Sequence, residues 1–179
     1  MNKEMQDRQP EASVASAIEV LIAKDGIREK LASYCRSIDR LDHELGYSVF
    51  TEDSDLDYGQ PFKGTGKQFI DWCITSHLKL AATSHRISNT KIVVKGDKAF
   101  SETYIFGMMR TPLGENGTVS EINVVGRYLD EWTCSGGDWR IAKRRFVQDF
   151  AKMGKVEVNM GSYGATRDEN DPSYEVTGL

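Results

Sequence analysis

An α+β fold, with helices laid against one face of a curved antiparallel sheet, follows from three observations. Apolar residues recur at helical spacing before residue 81 and alternate with polar ones after it. Tight Gly-containing turns, Lys95-Gly96-Asp97 and Ser135-Gly136-Gly137-Asp138, separate the later runs as hairpins. Helices first and antiparallel strands second place the helices together on one side of the sheet. A sheet bent around them leaves a cone-shaped cavity, the default place for a ligand.

Residues 1–12 are polar and are expected to be flexible. Residues 13–152 are expected to form a single domain, followed by a polar tail over 153–179. From Ser13 to Lys24, Val14, Ala17, Ile18, Leu21 and Ile22 give a first helix, which Asp25-Gly26 interrupts. A second runs from Ile27 to about Leu45, with Leu31, Tyr34, Cys35, Ile38, Leu41 and Leu45 as its stripe. A short strand and turn lie in 48–62, and a third helix lies in 64–80, carrying Phe69, Ile70, Cys73, Ile74 and Leu78. Long strands are predicted over about 83–95, 98–111, 119–134 and 138–152.

The totals narrow the function. A length of 179 residues and 39% hydrophobic content suit one globular domain. A net charge of −4 with scattered lysines argues against nucleic acid as a partner. No run is long and apolar enough for a membrane span, and no leader pattern opens the chain, so a cytoplasmic protein without membrane contact is expected. Cys35, Cys73 and Cys134 are odd in number and lack CxxC spacing, and the three histidines lack HxH or HxxxH spacing, so no metal site is predicted. Gly64-Thr65-Gly66-Lys67 lacks the spacing of a nucleotide loop, and no cofactor is expected.

The candidates for chemistry sit on the second helix and the strands. A carboxylate among apolar residues is costly unless something pairs with it. On a helical wheel Asp42 falls roughly 50° and Asp39 roughly 110° from the stripe centre, so the wheel favours Asp42 as the buried acid. His85, at the start of the first long strand, is the natural partner. On the last strand Arg144 and Phe146 share a face that could line a pocket, joined by Tyr104, Phe106, Met108 and Asn123 from the preceding strands and by Trp72 from the third helix. Trp132, Tyr128 or Trp139 are assigned to an open outer face in need of cover, from which a homo-oligomer is expected.

The run Tyr34-x4-Asp39-x2-Asp42, then Phe50-Thr51-Glu52-Asp53, Gly64, Thr83-Ser84-His85 with Asn89, and Gly137-Asp138-Trp139-Arg140-Ile141 resembles the SnoaL-like branch of the nuclear-transport-factor-2-like (NTF2-like) superfamily. That branch includes hexachlorocyclohexane dehydrochlorinase, bile-acid 7α-dehydratase, scytalone dehydratase and diarylpropane lyases. The resemblance covers about residues 14–152 and implies a cofactor-independent lyase, of dehydratase, dehydrohalogenase or deformylase type, acting on a small hydrophobic or aromatic substrate. It implies His85 as the proton-abstracting base, Asp39 as the acid holding its far nitrogen, Tyr34 as a pocket wall and Arg144 as a stabiliser of charge, and a homodimer or homotrimer as the assembly. It thus prefers Asp39 where the wheel prefers Asp42. Where the bile-acid enzyme has a second acid on a central strand, this chain has Tyr104 or Glu102 nearest. An isomerase or cyclase using the same pair, or a non-catalytic ligand-binding module, are the alternatives on this fold.

Overall fold

The computed structural model describes residues 14–114, 117–157 and 164–177. Helix α1 (Val14–Arg40) is followed by the short α2 (His43–Tyr47), strands β1 (Phe50–Asp57) and β2 (Lys63–Gly64), and helix α3 (Gly66–His77). Four long strands come next: β3 (Ala82–Lys95), β4 (Lys98–Arg110), β5 (Thr118–Ser135) and β6 (Asp138–Glu157), and a last short helix α4 spans Pro172–Thr177. The six strands form one sheet in the order β2-β1-β6-β5-β4-β3. All neighbours are antiparallel except β1 and β6, which run parallel. Helices α1 and α3 cover one face, which makes the predicted α+β architecture.

Three boundaries differ from the sequence reading. Asp25-Gly26 does not interrupt α1, because a single glycine costs a helix only about 1 kcal/mol and the apolar stripe continues through it. The helix stops instead at Leu41, whose φ of 61° is left-handed, and the Asp42 amide donates to the Ser37 carbonyl at 2.8 Å. Strand β6 also runs beyond the expected end at residue 152 to Glu157, and within 164–177 Thr166 and Ser173 bond to arginines of α1. The expected flexible terminus, 1–12, lies outside the described residues. No helix among them is long and apolar enough to cross a membrane.

The core lies between α1, α3 and the sheet, built on Ile27, Leu31, Ile38, Ile70, Ile74, Trp132 and Ile141. Gly66 opens α3 where a Cβ would stand 2.4 Å from that of Phe50, so only glycine lets the helix seat on β1. Thr65 and Gln68 close a reciprocal capping box there. Trp132, Tyr128 and Trp139 are buried on the helix side, at 2%, 4% and 6% exposure, so the outer-face assignment made for them is wrong. A register shift between Glu131 and Trp132 causes this on β6: Ile141 pairs with Trp132 and Lys143 with Glu131, leaving Ala142 as the extra residue. Residues on either side of the bulge therefore point inward together.

Candidate active site

Asp39 occupies the last turn of α1 and His85 the first turns of pairing on β3. The Asp39 carboxylate accepts twice from His85, from ring Nδ1 at 2.7 Å and from the backbone N–H at 2.8 Å. One acid therefore fixes both the strand and the ring. Because the carboxylate accepts, Nδ1 carries a proton, and in the uncharged form of the ring Nε2 presents its lone pair. Burial pushes the Asp39 carboxyl up, but the bonds from His85 and Thr83 and the charge of His85 outweigh it and hold it below the usual carboxylate range. Asp42 does not reach His85. It caps α2, accepting from the Leu45 amide at 2.9 Å. The wheel misplaced it by assuming a helix that continues beyond Leu41.

His85 opens onto a cavity of about 140 Å³ lined by Tyr34, Tyr58, Phe69, Trp72, Met109 and Phe146, among others. Its floor beside the imidazole is Gly107, where an added Cβ would lie 3.5 Å from Nε2. At one end Tyr34 and Tyr58 share a hydrogen bond between their hydroxyls, 3.0 Å apart. Burial pushes the Tyr58 phenol up to about 12, with Arg144 opposing, and burial raises Tyr34 and Tyr128 well above the usual value. These groups are neutral hydroxyls at any physiological pH. Tyr58 stacks on Phe69 at 4.2 Å between ring centroids, which continues the aromatic wall.

Several sequence assignments change. Tyr34, Trp72 and Phe146 line the cavity, but Tyr104, Phe106, Met108 and Asn123 do not. Strand β4 sends Ser101, Thr103, Ile105, Gly107 and Met109 toward the helices, and therefore Tyr104, Phe106 and Met108 to the opposite face. Asn123 pairs with Met108 on that outer face and donates to Glu121. The aromatic residues of β4 drew the assignment to the wrong phase, because here the inward set is the smaller and more polar one. Arg144 is also displaced. It is fully buried, grips Asp130 through Nε and Nη2 at 2.7 and 2.8 Å, and stacks over the rings of Tyr128 and Tyr34 at 4.0 and 4.4 Å. It stands behind the tyrosines that line the cavity and is not itself part of the lining, and among the described residues its Nη1 has no hydrogen-bond partner.

The sequence reading passed over Tyr58, Asp130 and His77. His77 is 7% exposed, and its ring stacks on His85 with centroids 5.7 Å apart. Burial, and then the neighbouring His85, push it down to about 4, so it is a neutral imidazole on the cavity wall. Its Nδ1 lies 3.3 Å from the Ile38 carbonyl. The signal was available: His77 follows Cys73 and Ile74 on the apolar stripe of α3. Burial pushes the Cys73 and Cys35 thiols up to about 12, so neither supplies a thiolate nucleophile. Among the described residues no cluster of three metal-binding side chains occurs.

The family model for the SnoaL-like domain matches residues 19–145. The chain belongs to the SnoaL-like family. Solved structures with the same fold include a type 2 hexachlorocyclohexane dehydrochlorinase at 14% identity and TM-score 0.70, covering 84% of this chain and 100% of that one. A type 3 dehydrochlorinase from Novosphingobium barchaimii is 13% identical with TM-score 0.67, covering 77% and 94%. A candidate scytalone dehydratase from Novosphingobium aromaticivorans is 19% identical with TM-score 0.67, covering 82% and 99%. At these identities the likeness is one of fold. No curated protein matches the sequence.

Proposed function

We propose that this SnoaL-like protein is a cofactor-independent lyase for a small hydrophobic or aromatic molecule, with His85 as the base. The observation that carries the reading is the doubly held His85: Asp39 takes Nδ1–H and the backbone N–H, and Nε2 is left as an acceptor beside an apolar cavity. In the reaction Nε2 takes a proton from a carbon next to the one bearing the leaving group. The freed electron pair forms the new double bond, and the leaving group departs with the bonding electrons. Asp39 stabilises the imidazolium so formed and keeps the ring in the productive tautomer. The Tyr34 and Tyr58 hydroxyls, held as neutral donors, supply a proton or hydrogen bond to a departing oxygen or halide at the far end of the cavity.

Chlorinated cyclohexanes and aryl compounds with a hydroxyl or halogen β to an acidic C–H are the substrates to assay first, since dehydrochlorinases and a candidate dehydratase share the fold. Mass spectrometry should find a product lighter by HCl or water; an unchanged mass would indicate isomerisation instead. General-base removal should lower kcat by roughly 10²–10⁴-fold in His85→Ala. A folded His85→Ala protein with full turnover would sink the reading.

A further inference from the structure

Arg167 belongs to the segment that returns over α1 after β6, and its half-buried guanidinium makes four hydrogen bonds, to α1, α3, β3 and the turn that joins α3 to β3. Nε donates to the Asp39 carbonyl at 3.3 Å, Nη1 to the carbonyls of His77 and Leu80 at 2.9 and 3.1 Å, and Nη2 to the Thr83 hydroxyl at 3.2 Å. Carbonyls at helix C-termini have no partner within the helix. One side chain thus satisfies the ends of α1 and α3 and touches β3 two residues before His85. The Asp39 carboxylate at the end of α1 holds the backbone N–H and ring of His85 on β3. Arg167 therefore bonds to both elements that carry the pair, at the Asp39 carbonyl and at Thr83.

The segment itself is fixed to α1 by two arginines one turn apart. Arg40 Nη1 donates to the Thr166 carbonyl at 3.1 Å and its Nε lies 3.5 Å from Asp171. Arg36 donates to the Ser173 hydroxyl at 3.0 Å and lies over the Tyr174 ring at 4.7 Å. Arg167 is therefore held from outside while it holds the elements that carry the paired acid and base.

We propose that Arg167 is a positioning residue for His85 and Asp39, a forked clamp that sets the distance between the end of α1 and the start of β3. This rests on the lyase reading for its consequence in catalysis, but not for its test. A lysine would not replace it, because one ammonium cannot span carbonyls on two helices and a hydroxyl on a strand.

The test uses the full chain with 15N-labelled histidine and follows solvent exchange of the His85 Nδ1 proton by NMR at fixed pH. Arg167→Ala should speed exchange roughly tenfold or more, because the pair opens more often, and Arg167→Lys should not restore protection. Thr83→Val should move exchange in the same direction and keeps the question open to measurement should Arg167→Ala fail to fold. Arg36→Ala, which loosens the segment at one of its two anchors and leaves the four bonds of Arg167 in place, should speed exchange less than Arg167→Ala does. Wild-type exchange in folded Arg167→Ala, or in Thr83→Val if that is the variant measured, would overturn the proposal. So would full rescue by lysine or an equal effect from Arg36→Ala. Because the readout needs no turnover, failure of the clamp and failure of the lyase reading are distinct results. For any substrate the wild type converts, Arg167→Ala should lower kcat about 10- to 100-fold with little change in KM.

Discussion

The molecule contains two aspartate–cation pairs that look alike on a contact map and differ in every consequence. Asp130 and Arg144 are both fully buried, and two short bonds join them. Burial pushes the Asp130 carboxyl up despite the guanidinium beside it. Asp39 and His85 keep 15% and 10% of their side-chain surfaces in contact with solvent, and there the carboxyl ends below its usual range. In the first pair the charged atoms face each other and aromatic rings. In the second, one nitrogen is tied down and the other is left for a newcomer. Burial and charge alone would favour Arg144 as the functional residue; an unspent lone pair beside a cavity is what favours His85 in the proposed lyase reading.

The largest effect that tests this contrast lies in the sealed pair. Asp130→Ala leaves a guanidinium buried without its counter-charge and should cost about 3–5 kcal/mol of stability, read by urea denaturation. Replacing both residues with apolar side chains of similar size should cost far less. A single variant as stable as wild type would show that Arg144 is not truly desolvated, and the contrast would fail.

Next comes the acid limb of the stability curve, through His77. Its ordinary value of 6.5 falls to about 4 in the folded chain. The unfolded chain therefore binds the proton first, so no penalty exists above pH 6.5 and one grows as pH falls toward 4. The loss should approach ~3 kcal/mol, less whatever solvent reaches the ring. His77→Gln should flatten that limb relative to wild type. An unchanged difference between the two curves from pH 7 to 4 would mean that His77 is not held neutral.

Asp39→Asn should show the opposite balance from Asp130→Ala: folding largely kept, and kcat reduced on the order of 100-fold as the imidazolium loses its counter-charge. The depressed Asp39 carboxyl adds stability that is present above its unfolded pKa and lost as pH falls through the lower folded value. The stability difference between wild type and Asp39→Asn should therefore shrink only in strong acid.

What could be read from the sequence divides along the same physical lines. Helices, hairpins and the long strands were legible because apolar periodicity and glycine turns are local signals. The partner of His85 was not decided by periodicity, since the wheel could not see Leu41 turn left-handed; only the family resemblance pointed to Asp39. The phase of β4 was lost because both its faces carry apolar residues, and its inward face includes Ser101, where the Trp132 indole donates at 2.8 Å, and Thr103. Arg144 had no sequence mark separating a cavity wall from a core ion pair. Arg167 lies in a stretch whose composition reads as tail, and its role depends on carbonyls from 87 to 128 positions away in the chain and one hydroxyl 84 positions away.

The smallest expected effect is also the sharpest for the open pair. At Gly107 an added methyl would meet His85 Cδ2 at 3.4 Å and Nε2 at 3.5 Å, ordinary contact distances that strain nothing. Alanine in a strand also restricts the unfolded chain, so Gly107→Ala should leave stability within about 1 kcal/mol of wild type or slightly above it. Yet that methyl sits against the nitrogen assigned to proton abstraction and takes space from a cavity of only about 140 Å³. Turnover should fall severalfold, more for bulky substrates than for small ones, while the Nδ1 proton shared with Asp39 stays protected. If Gly107→Ala were neutral for every substrate that depends on His85, Nε2 would not be the atom that meets the substrate.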